Sequence, residues 1–329
     1  QIMKSTVPLE TGESSLTTNI GSVQNAGIEL GVNFGVIRNQ NFTWDVNVAF
    51  ARNWSKIKEL PSGDDVSNNW FIGERLNVLR DYTYAGVITA DGVTMHTING
   101  DKHYTLQEVY DKYGPKSPNK LKWYEGQMAV NDWNDDGKIN DEDKQIYGCT
   151  DPKWTGSLSS TMTYKGFDFS FMLYTKQGQW SRSYFHEQYM DISDRGRQKM
   201  SFDYYIPAGT PVLDKATGDI TYLETPHMGA YPYPNNYEKT GGGYFSKSSS
   251  GVRYQKTSFV KVKNITLGYT FPKKWMSKIA VKHLRLYVNV LNPFCFTGYD
   301  GFDPEWASAN LTDGGPASVT YQIGANIKF

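Results

Sequence analysis

From Gly27 onward the chain alternates apolar and polar residues. Ile28, Leu30, Val32, Phe34 and Val36 fall on one side of an extended strand, and Glu29, Gly31, Asn33 and Gly35 on the other. A polar turn follows at Arg38, Asn39, Gln40 and Asn41. The chain then returns as Phe42, Trp44, Val46, Val48 and Phe50 against Thr43, Asp45, Asn47 and Ala49. Period two on both sides of a turn predicts a hairpin with one apolar and one polar face. The pattern recurs. Trp154, Leu158, Met162 and Tyr164 lead into Lys165-Gly166, and Phe167, Phe169, Phe171 and Leu173 come back. A third pair runs over 259–271, turns through 272–281, and continues with Leu284, Leu286, Val288 and Val290. Its phase slips over 261–264, which predicts a bulge or a rim position. A last strand is expected over 319–329, ending on Phe329, and a weaker partial strand over 1–6, for roughly eight spanning strands in all.

The connections are unequal in a regular way. Those within pairs are short turns, whereas 7–26, 54–153, 179–256 and 293–318 are long, and all the long ones fall at the same end of the strands. Outer-membrane barrels have this asymmetry, with short periplasmic turns and long extracellular loops. The expected fold class is therefore all-β, a transmembrane antiparallel β-barrel. The polar faces carry Glu29, Asn33, Asp45, Asn47, Arg285 and Asn289, which suit a wet lumen and would be costly in a dry core. A soluble sandwich also alternates, but its loops are rarely so long or so one-sided. A barrel of about eight strands fills its interior with side chains, so these strands are read as part of a larger wall.

Composition sharpens this picture. Hydrophobic residues make up 39% of the 329 positions, and no run reaches the roughly 20 apolar residues of a membrane helix. The 23 Tyr and 9 Trp favour strands and membrane–water boundaries. Lys plus Arg and Asp plus Glu are both 34, so no basic excess points to nucleic acid. The two cysteines, Cys149 and Cys295, exclude a disulfide scaffold or a cysteine zinc cluster. Gln1 to Thr6 carry neither an initiating Met nor a leader, and the chain is read as the C-terminal portion of a longer protein.

Among local motifs, Asp132-Trp133-Asn134-Asp135-Asp136-Gly137-Lys138-Ile139-Asn140-Asp141-Glu142-Asp143 follows the calcium-loop pattern. Asp132, Asn134, Asp136, the Lys138 carbonyl, Asn140 and Asp143 are the candidate Ca²⁺ ligands, and Gly137 allows the sharp turn. Asp143 is shorter than the usual bidentate Glu, and no flanking helices are evident. The alternative is a solvated Asp/Asn/Gly turn. Cys149 and Cys295 both fall on the outer side, where a disulfide is permitted, but the sequence favours two unrelated free thiols, since nothing in it puts them within bonding reach. Asp303 and Glu305 mimic a glycosidase pair, but adjacent loop carboxylates more often position a rim. His186-Glu187 lacks the second histidine of a zinc protease, and no phosphate loop or nucleophile elbow is present. No catalytic residue is assigned. The aromatic stretch 179–256, with Tyr231-Pro232-Tyr233-Pro234 and Gly241-Gly242-Gly243-Tyr244, suits sugar stacking or packing of the loop itself. It assigns no substrate-binding residue.

Taken in order, several segments resemble the C-terminal part of SusC-like TonB-dependent outer-membrane transporters. They are Asn19-Ile20-Gly21-Ser22-Val23-Gln24-Asn25-Ala26-Gly27-Ile28-Glu29, the acidic loop at 131–143, Tyr164-Lys165-Gly166-Phe167-Asp168-Phe169-Ser170, the stretch 259–269, and Tyr299-Asp300-Gly301-Phe302-Asp303-Pro304-Glu305. The resemblance runs over essentially all of 1–329. It implies a barrel of about 22 strands, plugged by an N-terminal domain that this chain lacks. It also implies a SusD-like surface lipoprotein as lid and coupling to TonB-ExbB-ExbD through the missing region. The cargo would be an oligosaccharide or a peptide, and Phe329 with its strand would serve as a signal for barrel insertion. Two further readings share the pattern: a soluble secreted calcium-using carbohydrate-binding β-protein, and a passive porin.

Overall fold

The computed structural model describes residues 2–6, 15–19, 21–113, 125–189, 203–233, 253–309 and 315–329. Its centre is one seven-stranded antiparallel sheet. The strands are β1 (Ser22–Arg38), β2 (Phe42–Glu59), β3 (Trp154–Tyr164), β4 (Phe167–Gln177), β5 (Phe259–Thr270), β6 (His283–Thr297) and β7 (Thr320–Lys328). Each pairs with the next in sequence, an up-and-down wall. The expected strand near the start exists as Ile2–Thr6, but it pairs with Ser15–Asn19 in a separate ladder. The wall therefore contains seven of the roughly eight strands.

Register turns the alternation into continuous rows. Ile37, Trp44, Met162, Phe169, Leu267, Val288 and Ile323 are cross-strand partners in turn, an unbroken apolar line over all seven strands. One residue along in the other strands, and across the bulge at Val36 in β1, Gly35, Asp45, Thr161, Ser170, Thr266, Asn289 and Gln322 form a small or polar line on the opposite face. A one-residue slip anywhere would exchange the faces, so the two rows fix the register together. The apolar face is uncovered: Leu267 is 52% exposed, Val288 45% and Ile323 87%. A soluble protein does not leave such a belt in water.

The opposite face is held by polar contacts between strands. Asn47 donates to Asn33, Thr266 Oγ1 to Asn289 Oδ1 at 2.9 Å, and Asn289 Nδ2 to Gln322 Oε1 at 2.9 Å. Arg285 Nε donates to Asp168 Oδ1 at 2.9 Å across the intervening strand β5. That pair lies over Gly268, where a Cβ would come within 2.5 Å of Asp168 Oδ1.

Turn chemistry fixes the short end. Lys165 (φ 46°) and Gly166 (φ 94°) are both left-handed, the type I′ pattern that suits a two-residue hairpin. Aromatic rings line the apolar face at this end, with Phe167–Tyr269 centroids 4.5 Å apart and Tyr269–Phe271 5.0 Å apart. At the far end Phe50 and Trp154 lie 5.8 Å apart. The strand between Tyr164 and Trp154 is about 33 Å long, or about 25 Å of height once tilted, which matches a lipid-facing band between two aromatic girdles. The slip expected over 261–264 is a bulge at Lys263: Val262 pairs with Phe294 and Leu173, and Asn264 pairs with Leu291 and Met172.

The segment 54–153 holds more structure than a loop. Strand β2 first continues to Glu59. Three small antiparallel ladders and the helix Leu106–Tyr113 then build a compact unit. Its core contains Ile88, Met95, Val109, Tyr113, Ala129 and Val130, all 0% exposed. Thr105 and Glu108 cap the helix reciprocally: Thr105 N donates to Glu108 Oε2 at 2.8 Å, and Glu108 N to Thr105 Oγ1 at 3.3 Å.

Candidate functional site

All six candidate calcium ligands are in described residues. Asp132 and Asp143 are both 0% exposed and belong to one hydrogen-bonded loop. Asp132 Oδ2 accepts from the Tyr113 hydroxyl at 2.7 Å, Gly137 N at 2.9 Å and Lys112 Nζ at 3.3 Å. Asp143 Oδ1 accepts from Trp133 N at 2.8 Å, and its Oδ2 from Asn140 N at 2.8 Å. Asn134, Asp136 and Asn140 each accept from the backbone amide two residues on, forming three successive Asx turns. Lys138 contributes its backbone amide, which donates to Asp136 Oδ1 at 2.8 Å. Burial, with the neighbouring Asp132 charge assisting, raises the Asp143 carboxyl above its ordinary range despite the three backbone amides that oppose it. Among the described residues no group of three or more His, Cys, Asp or Glu side chains is gathered as a metal site. The loop thus closes on amides, one tyrosine and Lys112, whose ammonium lies 3.3 Å from Asp132 Oδ2.

Two clusters tie the outer segments to the wall; the sequence pointed to Asp303, Glu305 and His186 but not to their partners. The first sits at the bulge. Lys261, 3% exposed, places Nζ 2.6 Å from Asp303 Oδ1 and 2.7 Å from Glu305 Oε2, and Lys263 Nζ reaches the same Glu305 oxygen at 2.8 Å. Asp303 also caps its own turn by accepting from Glu305 N at 2.9 Å. Burial would raise the Glu305 carboxyl, but hydrogen bonds from Lys261 and Lys263 hold it below its usual range. The two carboxylates are thus neutralised as a rim anchor rather than poised as an acid–base pair.

The second cluster joins three segments. Buried His186 places Nε2 2.6 Å from Asp300 Oδ1 and Nδ1 2.6 Å from Ser183 Oγ. Ser183 Oγ lies 2.7 Å from the Tyr299 hydroxyl, and the Tyr231 hydroxyl donates to Asp300 Oδ2 at 2.5 Å. Burial works to raise the Asp300 carboxyl, yet the bonds from His186 and Tyr231 leave it below the ordinary range. Ser183 is 0% exposed, so the Ser–His–Asp order here binds segments together and offers no nucleophile to a substrate. Within 179–256 Tyr204 and Tyr205 turn inward, at 2% and 0% exposed, and the Tyr205 hydroxyl donates to Glu125, whereas Tyr222 is 68% exposed. Pro234 and the Gly241–Tyr244 motif lie outside the described residues. Cys149, buried, and Cys295, exposed, are both free thiols.

A wall with an uncovered apolar face, a polar reverse face and elaborate segments at one end defines the class: a portion of a transmembrane β-barrel. No protein-family model matches the chain. It is 30% identical over 354 residues to TonB-dependent receptor P39 of Formosa agariphila, covering 98% of this chain and 32% of that protein. It is 28% identical over 328 residues to TonB-dependent receptor SusC of Bacteroides thetaiotaomicron, covering 98% and 28%. The RagAB peptide transporter structure matches all of this chain and 32% of its own, with a TM-score of 0.62 at 18% identity. Nearly the whole chain is similar to one part of TonB-dependent receptors, SusC among them, and it spans about a third of the length of the relatives it matches.

Proposed function

We propose that this chain forms part of the barrel wall of an active importer in the outer membrane of a Gram-negative bacterium, and that it is not an enzyme. The observation that carries this reading is the pair of rows crossing all seven strands, apolar outward and polar inward. Within the described residues β1 and β7 each have one partner, so the sheet needs further strands to close. The rest of the transporter supplies them, together with a plug through which TonB-ExbB-ExbD acts. The outer segments, anchored by Lys261–Asp303 and His186–Asp300, present a rigid surface to a SusD-like lipoprotein lid. The cargo is an oligosaccharide or a peptide; one matched relative is SusC and one matched structure is a peptide transporter. The loop at 132–143 holds Ca²⁺ as a structural brace, Asp132 and Asp143 turning their free lone pairs to the ion once Lys112 swings aside.

Mass spectrometry of the complex extracted from native outer membrane in mild detergent tests the transport reading. It supports the reading if a lid lipoprotein and a bound oligosaccharide or peptide come with the chain. A lone, detergent-independent chain would overturn it. Calcium is tested separately by titration calorimetry, where Asp132→Asn should abolish a stoichiometric Ca²⁺ signal. Silence in the unsubstituted protein would refute the brace.

A further inference from the structure

The apolar face of the wall has one recess near its loop end. Gly156 occupies an outward position in the row Phe50, Gly156, Thr175 and Val260. With no side chain there, a groove of about 260 Å³ opens between Phe50, Trp154, Leu158, Leu173 and Val260. A Cβ on Gly156 would already lie 3.3 Å from the Trp154 ring and 3.4 Å from Thr175 Cγ2, so a larger residue would fill the groove.

Directly beyond Phe50, the next outward positions of β2 are Arg52, Trp54 and Lys56, all exposed. Their cross-strand partners are Ile28, Ala26 and Gln24, none of them acidic. Glu29, the nearest carboxylate along β1, points to the reverse face. Arg52 lies 5.8 Å from the Trp54 ring centroid, and neither Arg52 nor Lys56 has an ion pair among the described residues. Two unpaired cations thus stand at headgroup level above an apolar slot, flanked by an interfacial tryptophan.

We infer that this face binds one phosphorylated glycolipid of the outer leaflet, with phosphate between Arg52 and Lys56 and an acyl chain lying over Gly156. The inference rests on the membrane reading above, with the long segments facing outward. Charge selects the occupant. A second copy of the barrel docking here about a two-fold axis would bring Arg52 and Lys56 close to their own equivalents, and a neutral acyl ester would leave both cations unanswered. Each cation near an anionic lipid surface contributes on the order of 1 kcal/mol, so losing both should weaken retention about thirtyfold.

The test uses the full-length transporter in mild detergent and native mass spectrometry. The probes are hexa-acylated bis-phosphorylated lipid A, its dephosphorylated form, and dioleoylphosphatidylethanolamine. The bis-phosphorylated form should be retained best. Arg52→Ala with Lys56→Ala should cut its retention about thirtyfold towards that of the dephosphorylated form, and Gly156→Leu should cut retention of both lipid A forms. Heat-modifiable electrophoretic mobility is measured on each variant, and Arg52→Gln alone serves if the double variant does not assemble. Equal retention of the three lipids, or retention unchanged by these substitutions in folded barrels, overturns the inference. So does a lipid-free two-chain mass that Gly156→Leu splits. If even the unsubstituted chain shows no folded membrane form, the membrane reading itself fails.

Discussion

The wall and the outer segments solve opposite problems with the same residue types. In the wall, Leu267, Val288 and Ile323 face outward, and the polar groups Thr266, Asn289 and Gln322 bond to one another behind them. In the unit between β2 and β3, Ile88, Met95 and Val109 are fully buried, and its charges lie outside or are answered, as Asp132 is by Tyr113 and Lys112. The first arrangement is stable only where the outer medium is apolar; the second is the ordinary arrangement in water. One chain therefore addresses two solvents, and the boundary runs through the aromatic girdle at Phe50 and Trp154.

This contrast can be broken most severely at the join. Lys261→Ala strands Asp303, only 8% exposed, without its cation. Breaking a buried pair costs about 3–5 kcal/mol, and the expected result is a sharp loss of hydrogen-exchange protection over 299–305 while strand β3 keeps its own. Next in size is Leu267→Arg, which places a charge in the lipid-facing row at a cost of about 2–4 kcal/mol. Urea unfolding in bilayers should register that loss. Equal stability would argue that the row never meets lipid.

Acidification separates the outer clusters by sign. Asp300 and Glu305 have folded values depressed below their ordinary 3.8 and 4.5, so their contribution is present above those values and is lost as pH falls through the folded ones. Asp143 is raised above 3.8, so its contribution is complete at low pH and is lost as pH rises through its folded value. In calcium-free buffer, lowering the pH through the carboxylate range should therefore loosen 299–305, while 132–143 should change less, because the gain at Asp143 opposes the losses at Asp135 and Asp141, which Lys102 and Lys144 hold below their ordinary range; exchange rates across the two segments read the difference. The smallest effect belongs to a single cross-strand pair. Thr43→Val removes the contact between Thr43 and Thr163 hydroxyls, 2.5 Å apart, and should cost no more than about 1 kcal/mol in the same unfolding assay.

The wall was legible in the sequence because period two is a local signal, and even the slip at 261–264 announced its bulge. The rim was not. Lys261 meets Asp303 across 42 positions and His186 meets Asp300 across 114, distances over which no local pattern carries information. The unit within 54–153 was read as loop because its ladders are short and close over dozens of residues, as Arg80 does with the Asp141 carbonyl. The acidic loop was visible as a motif, but the buried Tyr113 and the more exposed Lys112 that meet Asp132 come from a helix lying 19 and 20 positions away.

The central claim is which face of the wall meets lipid. Nitroxide labels at Phe169, Leu267 and Val288, and separately at Ser170, Thr266 and Asn289, would read it in the membrane-assembled transporter. The account predicts high accessibility to oxygen for the first set and to a water-soluble nickel chelate for the second. Reversed accessibilities, or both sets shielded from both reagents as in a packed sandwich, would contradict it.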